Sequence, residues 1–399
     1  MTHIQKRTLF IYSSRQDLSS ARGGSSLRIR GLTEYLPSES YIFLARARPE
    51  YVKPNTFLAF ALTKYEILVC KIFNISSGLT RLLIGFFLAR NKKIKGLKRL
   101  IGDNYLLAHQ DPSLALVLKY LFKVKVNYDI HGLSFAQDLG NSVVYSIKKN
   151  LLETFAKAEE KLIWEKADFL NSPSEELSEL ISKRFSVNLD KCFVIKDRTF
   201  VEKKQTIFPP NISELRNKID GRYVVCFIGN FKAMGGVENL VNAYARLDRE
   251  KFFLLIIGSG HLEDLVLKTL HQDNSYHMRS IPFEEVAAYQ SVADVLVCPE
   301  LEDNLYNQVC PSSLKIYGNL LSGKIVLSTF FPFWQSLKEI YPKNLFFCES
   351  TVDSLESNII QLSKQKTVPE SISDDFKKVI SWEQSSLDLV SYYKEYDIL

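Results

Sequence analysis

The sequence is poor in the features that assign a protein to a class at sight. Its six cysteines, Cys70, Cys192, Cys226, Cys298, Cys310 and Cys348, form no CxxC pair, and none sits beside a histidine at zinc-finger spacing. That leaves no disulfide framework and no structural zinc site to argue from. Long apolar runs are missing too. The greasiest region, from Phe57 to Ala89, is broken by Lys64, Glu66, Lys71 and Arg81, whereas a helix needs about 20 apolar residues to span a bilayer. The apolar stretch Thr8 to Tyr12 is too short for the core of a signal peptide, so a cytoplasmic location is expected. No internal repeat or low-complexity tract is present, and no Asp-x-Asp is placed to hold a metal against a phosphate.

What remains is ordinary globular material: 399 residues, 46% hydrophobic and 24% charged, enough for two or three domains. The net charge of +6 is unevenly spread. Residues 1–200 carry an excess of +12 and the rest −6, while residues 1–150 alone hold 23 Lys and Arg against 9 Asp and Glu. A basic half joined to an acidic half points to two bodies with different partners. Within the basic half, Leu82, Phe86 and Phe87 are followed by Lys92, Lys93, Lys95, Lys98 and Arg99. Apolar bulk beside dense lysine suits an anionic membrane surface; a buried helix followed by a solvated basic loop is the alternative. Nucleic acid is not expected, because no recognised binding module accompanies the charge.

Strand and helix patterns alternate. Thr8–Tyr12, Tyr105–His109, Val124–Asp129 and Ala167–Ser172 read as strands of a first body, with helices over Leu27 to Leu36, Leu114 to Phe122 and Leu151 to Lys166. Ser174-Glu175-Glu176 caps a further helix, with Ser172-x-x-Glu175 also available as a capping box. A second series has strands at Tyr223–Gly229, Phe252–Ile257, Asp294–Cys298 and Ile325–Ser328, with helices over Val237 to Leu247, Leu262 to Leu270 and Ser313 to Leu321. Near-continuous apolar strands between helices predict parallel sheets covered on both faces. The expected architecture is α/β, two Rossmann-like doubly wound domains facing across a cleft: a domain over 1–202, a linker over 203–217 marked by Pro209-Pro210, a second domain over 218–375, and a returning C-terminal helix over 376–399.

Glycines gather at the strand ends of the second half. Gly229 opens the loop Gly229-Asn230-Phe231-Lys232-Ala233-Met234-Gly235-Gly236; Gly258-Ser259-Gly260 ends the next strand; Pro311-Ser312-Ser313-Leu314-Lys315 opens a helix that runs to Gly323. Such loops let backbone amides approach a diphosphate, with Lys232 to offset its charge and Ser312 or Ser313 to cap a helix beside a sugar. Tight turns with no ligand are the alternative for each loop taken singly. In this order and spacing the series resembles the donor-binding domain of family 4 (group 1) glycosyltransferases, retaining enzymes of the GT-B fold. Gly23-Gly24 resembles the family's N-terminal glycine loop, Asp129-Ile130-His131-Gly132 its histidine loop, and Trp382-Glu383 with Tyr392-Tyr393 its closing helix.

The resemblance implies transfer of a hexose-type sugar from a nucleotide diphosphate sugar to a hydroxyl acceptor with retention, in bacterial surface polysaccharide, lipopolysaccharide or glycolipid synthesis. The acceptor is lipid-linked if the basic segment works at the inner face of a membrane. Neither metal nor cofactor is implied, the donor being a substrate. It assigns His131 to catalysis; Gly229, Lys232, Gly235, Gly236, Gly258, Gly260, Glu302, Asn304, Asn307, Ser312, Ser313 and Lys315 to the donor; and Gly23, Gly24, Ser25, Arg28 and Asp129 to the acceptor side. A histidine bonded to a neighbouring carbonyl is the plainer account of His131, and Asp129 is expected to be an exposed, solvated carboxylate. The chain departs from the family at Gly318 and Cys310, where a pair of glutamates is usual, and at Asn230 and Gly235, where an arginine and a lysine are usual. The cluster Glu300, Glu302, Asp303, Asn304 and Asn307 offers substitute hydroxyl-binding groups, a solvated acidic loop being the alternative. A catalytically silent GT-B protein acting as a binding subunit is the alternative reading.

Overall fold

Residues buried on both faces of a strand need helices above and below it, and the chain supplies them twice. In a computed structural model, which describes residues 8–12, 24–45, 48–59, 92–109, 112–133, 157–158, 160–201, 207–271, 273–310, 313–365 and 367–399, the chain divides into two units. The first comprises Met1–Arg198 with Trp382–Leu399, the second Thr199–Ser381.

The first unit holds a seven-stranded parallel sheet of β1 (Leu9–Tyr12), β2 (Tyr41–Ala45), β3 (Phe57–Ala59), β4 (Tyr105–His109), β5 (Lys125–Asp129), β6 (Phe169–Ser172) and β7 (Cys192–Val194), in the order β3-β2-β1-β4-β5-β6-β7. The second holds six parallel strands, β8 (Tyr223–Ile228), β9 (Phe252–Ile257), β10 (Ser275–Met278), β11 (Val295–Cys298), β12 (Ile325–Thr329) and β13 (Leu345–Cys348), in the order β10-β9-β8-β11-β12-β13. Both orders reverse once, beside the first strand of each series. That reversal is the doubly wound arrangement, and it opens a crevice at the strands' carboxyl ends. Each unit is therefore the doubly wound α/β layer expected from the sequence.

Alternation sorts the side chains. In β8, Val225 and Phe227 join Leu254, Ile256, Val295 and Val297 beneath the Val237–Tyr244 and Val352–Lys364 helices. Val224 and Cys226 face the other way, onto the Asn211–Ile219 helix with Phe253, Leu255 and Tyr289. That helix occupies the second half of the stretch read above as linker. Pro210 is its N-cap residue, in helical conformation, so the Pro-Pro pair marks a helix start, where proline lacks no needed donor. Ser174 is the cap, as its sequence suggests, its Oγ accepting from Leu177 N at 3.1 Å; the alternative Ser172 box does not form, Ser172 Oγ donating to Ser174 O instead. The Leu151 to Lys166 helix is helical at 157–158 and 160–166, its other residues lying outside those described.

The first unit is closed by the chain's last helix, Trp382–Glu395, against the Gly24–Glu34 helix. Trp382 is wholly buried, and a Cβ on Gly31 would overlap its indole. The buried Tyr393 hydroxyl accepts from Asn127 Nδ2, on β5, at 2.6 Å. Gly31→Ala should destabilise the protein by about 1–3 kcal/mol, the usual cost of overpacking. Gly96→Ala, in the Lys92–Ile101 helix where a Cβ meets nothing within 4 Å, should stabilise it by up to about 1 kcal/mol. Thermal melts of the two variants check this; an unperturbed Gly31→Ala melt would contradict the packing.

Candidate functional site

Three loops meet at the crevice of the second unit. Gly229 follows β8 and leads through Lys232 into the short turn Ala233–Gly235 and the Val237–Tyr244 helix. Gly236 is the cap of that helix at φ +66°, and a Cβ there would overlap the carbonyl of Pro299, just past β11. Gly258, after β9 at φ +156°, lies equally close to the carbonyl of Gly229. Gly260 would place a Cβ 2.5 Å from Phe231 O. The glycines are thus spent first on bringing three strand-end loops together, as backbone approach of this kind requires.

The acidic loop is bonded into the same assembly. Leu301 N donates to Met234 O at 3.0 Å, and Asn307 Nδ2 donates to Met234 O at 2.8 Å and Leu301 O at 2.9 Å. Asn304 caps the Leu305–Val309 helix, accepting from Tyr306 N and Asn307 N at 2.9 and 3.3 Å. Both asparagines hold the loop's shape. Glu302 instead faces a groove lined by Phe330, Phe347, Glu349 and Thr351. Burial raises its carboxyl above the usual range, and Glu349 and Asp303 add to that.

Lys315, from the Ser313–Leu321 helix, reaches back over the first loop. Its Cε lies 3.2 Å from the place a Gly229 Cβ would take, and its ammonium is 5.9 Å from the centroid of the Phe227 ring. Nζ is 3.0 Å from Oε1 of Glu300, whose side chain is 8% exposed. Burial alone would lower the lysine; Glu300 outweighs it and raises it. Lys232 is exposed, and Gly235 is buried in the turn. Gly318 sits on an open side of its helix, where a Cβ meets nothing within 4 Å. Ser312 lies outside the described residues; Ser313 begins the helix.

Sequence reasoning gave no role to His261 and His277. Yet His261 Nε2 accepts from Ala233 N at 3.4 Å, and His277 Nε2 is 3.0 Å from Gly258 O. His277 follows from strand pairing, since it stands opposite Ile256 in the neighbouring strand; nothing in the sequence announced His261.

In the first unit the strand ends carry a buried charge cluster. Arg28 is fully buried on the Gly24–Glu34 helix. Its Nε and Nη2 donate to Asp129, the nearest at 2.7 Å, and its Nη1 donates to Asp197 Oδ1 at 2.7 Å and Ile195 O at 2.9 Å. His109 Nδ1 is 2.6 Å from the second oxygen of Asp129. The expectation that Asp129 is exposed and solvated is therefore corrected: it is 0% exposed and clamped between two cationic or donor groups. Burial alone would raise its carboxyl, but Arg28 and His109 hold it far below the usual range. Arg28 is raised in turn, the two aspartates overcoming its burial.

Beyond Asp129 stands His131, its ring 6.2 Å from that of His109, edge to face. Burial lowers its pKa from 6.5 to about 4; Asp197 and Asp129 oppose the shift, His109 and Arg28 add to it. His131 is neutral at physiological pH. Gly23 lies outside the described residues, Gly24 is the first residue of its helix and Ser25 the second. Asp197 and His109 complete the cluster and were not singled out in the sequence.

The His131 shift has a measurable sign. Between pH 6.5 and about 4 the unfolded chain binds a proton that the folded one refuses, so stability falls as pH drops through that window. His131→Gln should flatten the fall. Melting temperatures recorded across the window that decline equally in both proteins would contradict the assignment.

Residues 210–305 match the family model described as glycosyl transferases group 1. An uncharacterized glycosyltransferase of Methanocaldococcus jannaschii is 27% identical over 183 residues, 44% of each chain; the match thus spans under half the length of that relative. Among solved structures, sucrose-phosphate synthase from Thermosynechococcus elongatus superposes with a TM-score of 0.68 at 16% identity, over 98% of this chain and 99% of that one. Anabaena HepE, solved with UDP, gives 0.62 at 13% over 98% and 100%, and was also solved with UDP-glucose. A UDP-forming trehalose-phosphate synthase from Burkholderia vietnamiensis gives 0.65 at 11% over 100% and 99%. At these identities the structural likeness is one of fold.

Proposed function

We propose that this chain, which the group 1 glycosyltransferase model matches over residues 210–305, moves a hexose from a nucleotide diphosphate sugar to a hydroxyl acceptor with retention, in bacterial surface polysaccharide or glycolipid synthesis. One observation carries the reading. The loops after β8, β9 and β11 close at the reversal point of the second sheet, with the Lys315 ammonium above Gly229. A diphosphate there meets backbone amides, Lys232 and Lys315, the combination such groups need, and no divalent metal is required. HepE, of similar fold, was solved with UDP and UDP-glucose, which supports a donor of that class. His131, being neutral, acts in this reading as a hydrogen-bonding group rather than a fixed cation, at the acceptor side with Asp129 and Arg28 fixing its surroundings.

Binding tests this directly. UDP, GDP and ADP sugars are titrated with EDTA present, and Lys232→Ala should weaken the best of them about tenfold, or ~1.4 kcal/mol. Unchanged affinity, or binding only with added manganese, would sink the metal-free phosphate site. Gly318→Glu, which adds a carboxylate at an open position, should melt like wild type and change nucleotide affinity. If it binds nucleotide identically, the helix does not face the ligand.

The catalytically silent reading is favoured by Gly318 and by Cys310, which is buried. Donor hydrolysis or transfer at any measurable rate excludes it.

The acceptor is proposed to be lipid-linked. Among the described residues no helix is long and apolar enough to cross a membrane. The Lys92–Ile101 helix, however, buries Leu97 and Ile101 while exposing Lys92, Lys95, Lys98 and Arg99, with Leu100 42% exposed. Each basic residue near an anionic bilayer adds about 1 kcal/mol. Leu82, Phe86 and Phe87 lie outside the described residues. The protein should float with anionic liposomes, less at high salt, and less again when Lys92, Lys95 and Lys98 become Glu. Equal recovery on neutral and anionic vesicles would end the membrane proposal.

A further inference from the structure

The donor reading leaves one buried charge unexplained. Glu300 stands directly after Pro299, where the third loop leaves β11, and its side chain is 8% exposed. An anion so close to a diphosphate site repels the ligand, and a buried anion is tolerated only while something neutralises it. What neutralises it is Lys315, 3.0 Å away. The same ammonium lies above Gly229, the residue that opens the proposed phosphate loop. A single cation therefore faces two anions in the bound state and one in the free state. Lysine suits such sharing, because its ammonium is a point charge on a flexible stem.

We propose that Glu300 is an internal stand-in for the donor's diphosphate: it holds Lys315 over Gly229 in the empty site, yields it to the phosphate on binding, and takes sugar hydroxyls as replacement donors. This rests on the donor reading of the same loops. The exchange makes Glu300 a specificity-determining residue. A nucleoside diphosphate without a sugar takes the lysine and strands a buried carboxylate. A nucleotide sugar takes the lysine and brings hydroxyl donors on the group attached to its outer phosphate. Wild-type protein therefore favours the sugar ester over the bare diphosphate, even though the bare diphosphate carries more charge for Lys315 and Lys232 to meet.

The test is a comparison of dissociation constants for UDP, GDP and ADP and for their glucose esters, in wild type, Glu300→Gln and Glu300→Met. Both substitutions fill the space without a charge, and a melt of each confirms folding; should the amide variant fail to fold, the methionine variant answers the same question. Both variants should bind the bare diphosphate about tenfold more tightly than wild type does. The glucose ester should gain less, so that the preference for the ester falls toward unity. A merely structural Glu300 would lower the melting temperature and leave that preference where it was. Bare diphosphate bound no more tightly by the folded variants overturns the stand-in role while leaving the donor reading intact. If none of the six ligands binds wild type or either variant, the donor reading falls and the exchange falls with it.

Discussion

A guanidinium with no solvent exposure is the constraint around which the first unit is arranged. Arg28 sits on the helix that follows β1, and its partners lie at the end of β5 and just past β7. Three segments distant in sequence are thereby held at one edge of the sheet. Losing either partner would leave a buried charge uncompensated, a loss of about 3–5 kcal/mol in comparable pairs. The same helix presents Gly31 to Trp382 and so accepts the chain's last helix. Charge fixes the helix along the sheet, and the missing side chain at Gly31 fixes how near its neighbour can come. His131 stands beside this cluster, and burial is what keeps its ring neutral.

The second unit reaches a comparable edge by steric means. Its strand-end loops are locked by backbone approaches at Gly236 and Gly258 that no side chain would allow, and by asparagines whose amides bond carbonyls across loops. Among the described residues few charges are buried in doing so; Glu300 is one, and it is paired. These loops carry backbone amides and one ion-paired lysine at the sheet's edge, whereas the first unit carries a fully buried charge cluster.

Much of this was legible in the sequence, for identifiable reasons. Central strands such as Phe252–Ile257, buried on both faces, show as unbroken apolar runs, and the Ser313–Leu321 helix was read to the residue. Edge strands escape, because an edge is free to be polar or short: β10 carries Ser275, Tyr276 and His277, and β3 has three residues. Glycines at the site were visible because close approach admits nothing else. Pairings were not, since Arg28 and Asp129 stand 101 residues apart and no pattern along the chain ties one to the other. The expectation of a solvated Asp129 failed for that reason: a carboxylate is exposed by default, and only the fold could reveal the arginine that buries it.

The departures from the family pattern acquire a common physical sense once the geometry is known. Cations absent from the first loop, at Asn230 and Gly235, are offset by Lys315, which comes from a helix on the far side of β11. A Cβ at Gly235 would meet only Asn230 O, at an ordinary 3.6 Å, so the steric demand in this turn falls on Gly236 against Pro299. The helix-borne positive charge stands beside Glu300. An arginine there would bind the carboxylate in a two-pronged, rigid geometry and resist exchange. A lysine keeps one contact and a flexible stem, so the site can be compact when empty and still surrender its cation to a phosphate.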